Sequence, residues 1–467
     1  MNLRVGHMDF SAAARKISRF LRDYSLLACS GLFMHSAYNR HYFKNHYLKS
    51  EYFAFLSLPH YLLCGERRGW RPNPFFDPVF FEKRAKTRRF ADYLRDPALW
   101  TQSTSDYFDA DWYAKERITQ PSVEESPLKH FWRVGFEGGF SPSPRFETRF
   151  FKAAIARDRR HYEKRCAFEY LCDADANPPL NAAELEASQR KFRASIDLQT
   201  LKIAPSAIKK FLVFVQAGKD FVPKFAAPDA PFDILINFYD GIGNIDAVQY
   251  AFAQRGTKTT AIKTLMDSVP ELFDRYDATL FLDDDVEISQ RDIGALFQAR
   301  SEYQLDLLQA SLSAGSSCYY PFLKQPSVGA GLHYASGVEI MMPLISRRAL
   351  RDCGWVFGES ISGWGVDMLL SAEVRRLYGN SIGVLGDAVA VHRRPTLTDK
   401  NPLYKFLSAQ GISATAEAGR IALKYHLDDN GTWIGPSDPA LASRPIGHVD
   451  RAASHCENAS HVSGHVY

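Results

Sequence analysis

Three aspartates in a row, Asp283-Asp284-Asp285, follow directly on the apolar run ATLFL at 278–282. A short, unbroken apolar run of this kind reads as a strand buried on both faces. Such strands belong to parallel sheets covered by helices on each side. The surrounding sequence repeats the pattern. ILINF (234–238) is a second such strand, followed by Tyr239-Asp240-Gly241, and helical spacing covers about 245–254. The stretch 257–263 reads as a strand, 292–303 as a helix and 306–311 as a strand. After an apolar run at 339–344, 364–378 reads as a helix and 381–391 as the last strand. The alternation predicts an α/β domain over 229–428, with a mainly parallel, Rossmann-like sheet flanked by helices. Ligands of such sheets bind beyond the C-terminal ends of the strands.

The aspartates sit at one of those ends. Three adjacent carboxylates repel one another, and burying them without a counter-ion costs several kcal/mol. A divalent cation removes that cost, and hard oxygen ligands suit Mg²⁺ or Mn²⁺. Such an ion would also neutralise a diphosphate leaving group. The alternative is a solvated acidic turn capping the next helix. Gly363-Trp364-Gly365-Val366-Asp367 stands well downstream of Asp285 and is expected to open a helix. Its glycines allow close backbone approach to a ligand, Trp364 offers a flat face to a sugar ring, and Asp367 can serve as general base on a hydroxyl. His392 follows the last strand, where an imidazole can complete a metal shell.

The first hundred positions differ in character. They hold 17 Lys and Arg against 8 Asp and Glu, a net +9 in a chain of net +4, and are rich in aromatics. A basic, aromatic-rich region can lean on anionic lipid or an acidic glycan. The small overall charge gives no sign of a nucleic-acid partner. Seven scattered cysteines without a CxxC pair argue against a zinc site or a disulfide framework and for a reducing compartment. The start of the chain lacks the apolar core of a secretory signal, and the best apolar run, 26–34, is far short of the roughly 20 residues of a spanning helix. The expected location is the cytoplasm, with peripheral contact to a membrane or an assembly complex.

Two segments match at a constant offset: HYLLCGERRGWRPNPFFDPVFF from His60 and HFWRVGFEGGFSPSPRFETRFF from His130. The pairs His60/His130, Gly65/Gly135, Gly69/Gly139, Pro72/Pro142, Pro74/Pro144, Phe76/Phe146, Phe80/Phe150 and Phe81/Phe151 coincide. Each unit reads as a short helix, a glycine turn and an extended Pro-x-Pro stretch leading into an aromatic helix start. The expected organisation is a basic and apolar helical segment (1–39), a two-copy helical repeat module (40–155), a helical connector (156–228), the α/β domain (229–428) and a flexible tail (429–467). Within the connector, 181–196 has helical spacing and 211–221 is apolar enough to be buried.

The repeat resembles units of the form HYxxxGxxEGRxPxPxFDxxxY found beside bacterial surface-polysaccharide glycosyltransferases. The C-terminal domain resembles glycosyltransferases of the GT-A fold, in the order of an apolar strand ending in Asp-x-Asp, a Gly-Trp-Gly-x-acid loop and a strand-end His. It is more closely similar to the plant and bacterial family catalogued as domain of unknown function 707. FYDG (238–241), KTTAIK (258–263), FLDDDV (281–286), VEIMMPLISRRAL (338–350), GWGVD (363–367) and GVLGDAVAVHRRPTL (383–397) carry that likeness. The resemblance implies that Asp240 and Asp283 lie at the donor nucleobase and ribose, and that Asp284 shapes the turn. It also implies Asp283, Asp285 and His392 as metal ligands, Lys258 and Lys263 on donor phosphates, and Asp367 as catalytic base. The chain departs from the family in having Asp284 where glutamate is common, and Thr259-Thr260 where a tryptophan pair often stands.

The expected function is transfer of a sugar from a nucleotide-diphosphate donor, a UDP-sugar, to a glycan hydroxyl, with Mn²⁺ or Mg²⁺ and with inversion. Trp364 and Gly365 would face the acceptor sugar. Two other classes are open. A non-catalytic glycan-binding or assembly protein would bind glycan without donor or metal. A metal-dependent phosphohydrolase would release phosphate from simple esters. No GxxxxGK[ST] loop is present, which argues against a P-loop kinase.

Overall fold

The apolar runs read as strands are buried and pair side by side. The structure is a computed structural model that describes residues 10–29, 38–48, 57–118, 125–156, 181–206, 208–325, 327–394, 402–427 and 449–451. The chain divides into two compact units, 1–184 and 185–467.

The second unit is α/β. Its strands are β1 (Gln199–Ile203), β2 (Phe211–Ala217), β3 (Phe232–Phe238), β4 (Tyr250–Ala253), β5 (Ala278–Asp283), β6 (Val286–Glu287), β7 (Leu307–Leu312), β8 (Leu332–Ala335), β9 (Leu344–Ser346), β10 (Ile382–His392) and β11 (Val449–Arg451). They form one sheet in the order β1-β4-β3-β2-β5-β9-β7-β10-β8-β11, with β6 against β10. The block β4-β3-β2-β5 is parallel throughout, and β7 pairs parallel with β10. The short β9 runs antiparallel between β5 and β7, so these two blocks point the same way. Helices Lys258–Ser268, Gln290–Tyr303 and Val366–Tyr378 bury apolar faces in the unit's main core.

The structure differs from the sequence reading in four places. The stretch 257–263 is not a strand. The Thr257 hydroxyl accepts from the Thr260 N–H and the Thr260 hydroxyl accepts from the Thr257 N–H, so a capping box starts the helix Lys258–Ser268 despite its β-branched residues. The helical spacing at 245–254 is overridden at Tyr250–Ala253, which pairs in register with Leu235–Phe238. Within 156–228 a helix occupies Ala182–Ala194, but β1 and β2 belong to the sheet, and β2 is buried between β3 and β5. In the tail, Val449–Arg451 pairs with β8. The remaining tail residues, including His448, His455, His461 and His465, lie outside the described residues, as do 157–180 of the connector and 30–34 of the apolar run. Among the described residues no helix is long and apolar enough to cross a membrane.

In the first unit one local geometry recurs three times, at closer intervals than the offset from His60 to His130. Asn39, Asp77 and Asp109 each cap a helix, Arg40–Tyr47, Pro78–Ala85 and Ala110–Arg117, through their side chains. The backbone N–H of each cap residue donates to a carbonyl further on: Asn39 to Pro72, Asp77 to Thr104, Asp109 to Pro142. An isolated bridge follows each time, at Asn73/Phe76, Ser105/Phe108 and Ser143/Phe146. The sequence match therefore joins the first and third units, in which a π-helical turn (Tyr61–Gly65, Phe131–Gly135) precedes a glycine of positive φ, Gly69 or Gly139. The core between them is aromatic. Phe75 is fully buried, with its ring centroid 5.0 Å from that of Phe131 and 5.5 Å from that of Phe146. Phe75→Ala is expected to cost about 3–5 kcal/mol. Urea denaturation of the full chain checks this, as an early transition of the aromatic-rich unit.

Candidate functional site

Strand order decides where a ligand can enter. From β2 the chain adds β3 and β4 on one side, then returns to place β5 on the other. That reversal opens a crevice beyond the C-terminal ends of β2 and β5, where ligands of open α/β sheets bind. Gly218 follows β2, Tyr239 and Asp240 follow β3, Asp283–Asp285 end β5, and His392 ends β10. Buried apolar strands carry all of these polar residues to one edge of the sheet.

Each aspartate has its own partners. Asp283 Oδ1 lies 2.8 Å from Lys258 Nζ, and that ammonium also donates to the Ile340 carbonyl. Lys258 is buried; burial lowers its pKa, while the three aspartates pull the other way. Asp284 Oδ2 accepts from the Gly218 N–H (2.9 Å) and the Tyr239 hydroxyl (2.9 Å), tying β5 to β2 and β3. Burial and the Asp284 carboxylate together raise the Tyr239 phenol well above its usual range. Asp285 Oδ2 lies 3.5 Å from His392 Nε2 and 3.7 Å from Arg394 Nε. Burial would raise the Asp285 carboxyl, but His392 and Arg394 outweigh it and hold it below the usual range. Across the crevice, Asp240 is exposed and its Oδ1 accepts from the Lys219 N–H at 2.7 Å.

His392 is fixed from behind. Its Nδ1 is 2.7 Å from the Ser317 carbonyl, which assigns the Nδ1 proton to that bond and turns Nε2 toward Asp285. Burial opposes protonation of the ring, yet Asp285 and the Ser317 carbonyl raise its pKa above the ordinary 6.5. The segment that holds it continues to Tyr319, whose ring meets Trp364 edge-on at 6.3 Å, and to Tyr320, whose N–H donates to Glu339 at 2.7 Å. Glu339 is buried. Burial pushes its carboxyl up to about 8, and the nearby Asp367 adds to the rise against the Tyr320 and Tyr319 N–H groups.

The Gly-Trp-Gly loop is held by Glu417, a fully buried carboxylate on the helix Ala414–Lys424. It accepts from Ser360 Oγ, the Ile361 and Ser362 N–H groups and Gln189 Nε2, at 2.5–2.9 Å. On the other side the Thr257 and Thr259 hydroxyls both donate to the Ile361 carbonyl. The loop then presents Trp364, half-buried, with its indole N–H donating to the Tyr404 hydroxyl at 3.1 Å. Asp367 lies in the first turn of the helix Val366–Tyr378, and its Oδ1 accepts from the Met368 N–H.

Three of the expected site residues have protein partners or packing of their own. Lys258 is spent on Asp283 and a carbonyl, so it acts as the counter-ion that a metal was expected to supply. Lys263 pairs with Asp267 on its own helix, and the structure gives it no contact with the aspartates. Gly365 is buried with φ +83°, and a Cβ there would lie 3.0 Å from Ala418 Cα, so its demand is helix packing rather than access to a sugar. Sequence reasoning passes over Gly218, because it places that strand in a connector. It also leaves Tyr239, Glu339 and Arg394 unassigned, although each stands beside or inside one of the quoted motifs.

A divalent cation fits this edge in part. Among the described residues no three His, Cys, Asp and Glu side chains gather as a closed cage. Asp285 and His392 supply an adjacent oxygen and nitrogen, and Mg²⁺ commonly takes only one or two protein ligands beside waters and substrate phosphates.

No family model matches the chain, and no curated protein does. The likeness to the family of domain 707 therefore stands on the motifs quoted above. Among solved structures the chain is similar to S. aureus TarS 1-349 in complex with UDP-GlcNAc, at 14% identity and a TM-score of 0.27, over 43% of this chain and 65% of that one. It is similar to GalNAc-T7 with UDP, GalNAc and Mn²⁺ at 11% identity and a TM-score of 0.32, over 46% and 49%. A third is glucosyl-3-phosphoglycerate synthase from Mycobacterium tuberculosis, at 13% and 0.28, over 51% and 87%. The chain thus spans less than two thirds of TarS 1-349 and about half of GalNAc-T7. These likenesses are remote.

Two outcomes follow from the buried carboxyls. Glu417→Ala strands the Ile361 and Ser362 N–H groups and is expected to cost at least about 2 kcal/mol in chemical denaturation. Glu339 binds a proton in the folded state that the unfolded chain releases above about pH 4.5. Stability therefore falls as pH rises from there to about 8, with a slope of up to ~1.4 kcal/mol per pH unit from this group. Comparing Glu339→Gln with the native chain across that range checks it, since the variant should lack this component.

Proposed function

We propose that the chain transfers a sugar from a nucleotide-diphosphate donor, a UDP-sugar, to a hydroxyl of a glycan in surface-polysaccharide synthesis. The observation that carries this reading is the pairing of Asp285 and His392 at the switch-point crevice, 3.5 Å apart and opposite Asp240. An oxygen and a nitrogen ligand beside an otherwise open edge suit a Mn²⁺ or Mg²⁺ ion that still needs phosphate oxygens. The motif resemblance supports the same reading.

In this proposal Asp240 and Asp283 receive the nucleobase and ribose, and Asp284 holds the ends of β2 and β3 against the turn. Asp285 and His392 would hold the cation, which when bound supplies the positive charge that stabilises the departing diphosphate. Arg394, with its side chain 62% exposed, reaches both Asp284 and Asp285 and can follow phosphate charge as it develops. Trp364 offers its ring to the acceptor sugar. Asp367 takes the proton of the attacking hydroxyl as the new bond to the anomeric carbon forms and the bond to the diphosphate oxygen breaks, with inversion. Lys258 keeps Asp283 in place. Gly365 is left out of substrate contact.

A thermal-shift screen against UDP, GDP, CMP and ADP, each with Mn²⁺ or EDTA, tests the reading. The expected result is a shift with UDP that requires the metal, about 2.7 kcal/mol at ~100 times Kd. Asp285→Asn should lose both the shift and sugar transfer while still folding, and Asp367→Asn should keep the shift and lose transfer. No shift with any nucleotide would turn the reading toward a glycan-binding protein. Phosphate release from simple esters without sugar transfer would turn it toward a phosphohydrolase. His392 gives a separate readout. Its raised pKa means that its pairing with Asp285 contributes stability below about pH 6.5 that is lost as pH rises through the raised value. A bound cation replaces that proton, so an NMR titration of the ring with Mg²⁺ should move its pKa downward.

A further inference from the structure

The helix Phe10–Cys29 is amphipathic, and the first unit covers only one edge of its apolar arc. Leu27 is buried in the aromatic core, and Asp23 is buried against Arg89 and Arg95. Phe20, on the same edge, is half-buried. Beside this packed edge, Ala14, Ile17, Leu21, Tyr24 and Ala28 follow one another at three- and four-residue spacing, which places them on one stripe. All five are exposed, Ile17 by 61%, Leu21 by 56% and Tyr24 by 39%. Scattered singly, such residues are ordinary on a protein surface. Aligned, they form a continuous apolar stripe about 20 Å long.

Charge says what covers the stripe. The only acid of this helix is Asp23, which is turned inward and neutralised there, so no carboxylate of the helix faces solvent. At 3.6 residues per turn, Lys16 and Arg22 stand about a third of a turn to either side of the stripe, with Arg19 behind it. All three side chains are exposed. Long basic side chains lay their stems along apolar surface and carry their charge past it. A partner with an apolar interior and a negative surface satisfies both halves of this pattern, and a bilayer containing anionic lipid is such a partner. A second copy of the helix fits less well. The spacing would suit a coiled-coil seam, but it runs for about two heptads where three or four are needed. One flank of that seam, Phe20 and Leu27, is also turned into the unit, and the other, Ser18 and Ser25, offers no charge pair.

We propose that the helix Phe10–Cys29 docks on the surface of an anionic membrane. Ile17, Leu21 and Tyr24 seat at the boundary of headgroups and acyl chains, and Lys16 and Arg22 reach the headgroup charges beside them. A membrane surface imposes no register, so a short stripe is enough for it. The site lies within the first unit and stands whether or not the sheet crevice binds a nucleotide.

The test is co-sedimentation of the full chain with vesicles of phosphatidylcholine, alone or with added phosphatidylglycerol. The variants are Ile17→Ser/Leu21→Ser and Lys16→Gln/Arg22→Gln, all at exposed positions that leave Asp23 and its arginines alone. The expected result is binding to the mixed vesicles that each variant weakens about tenfold or more. No binding to the mixed vesicles, or equal binding to phosphatidylcholine alone, overturns the proposal. Full binding by Ile17→Ser/Leu21→Ser overturns it too, because a basic surface then adsorbs without seating its apolar stripe. Should the serine variant unfold, Tyr24→Trp decides, since it keeps a ring and favours the interface. Tighter binding upholds the stripe, and unchanged binding sinks it. Self-association in sedimentation velocity that Ile17→Ser/Leu21→Ser abolishes, without vesicle binding, gives the stripe to a second copy and ends the membrane reading.

Discussion

Like charges cannot share the end of a buried strand unless something neutralises each of them, and that constraint organises the second unit. The chain solves it three ways within one tripeptide. Asp283 has a buried ammonium, Asp284 has neutral donors, and Asp285 has an imidazole with a guanidinium behind it. Each partner comes from a different segment: the first turn of Lys258–Ser268, the ends of β2 and β3, and the end of β10. Neutralising these aspartates therefore fixes four elements against one another.

The same helix start does a second job. Lys258 reaches Asp283, and its neighbour Thr259 reaches the Ile361 carbonyl at the base of the Gly-Trp-Gly loop. Glu417 holds that loop from the opposite side with a carboxylate whose partners include two backbone N–H groups. The edge bearing the aspartates and the loop bearing Trp364 and Asp367 are thus braced by common residues. A substitution at Thr257 or Thr259 would disturb both together.

Much of this is legible in the chain itself. Unbroken apolar runs such as ATLFL and ILINF announce buried strands, and the polar residues that follow them stand at one sheet edge because the strands point the same way. Where reading fails, a local signal meets a longer-range one. KTTAIK is rich in β-branched residues and looks like a strand, but two threonine hydroxyls placed a helical turn apart cap a helix. FLVFVQA carries no motif, so its place beside β5, which creates the crevice, cannot be seen from composition. Lys258 stands out as a cation, but its anion does not, because the pairing joins two separate elements and leaves no periodic trace in the sequence. The match between His60 and His130 hides a shorter recurrence, since the middle unit keeps the cap aspartate and the bridge but not the glycines.

Those caps have a temporal meaning. Asn39, Asp77 and Asp109 each close a ring on a carbonyl only a short way ahead in the chain, at Pro72, Thr104 and Pro142. Small rings cost little entropy to close, and nearby contacts form quickly. The crevice is the opposite case. It draws on Gly218 at one extreme and Arg394 at the other, and β10 must pair with β7 although β8 and β9 come between them in the chain. On the ribosome the rings of the first unit can shut one after another as they emerge. The carboxylate edge stays unassembled until almost the whole of the second unit has been made.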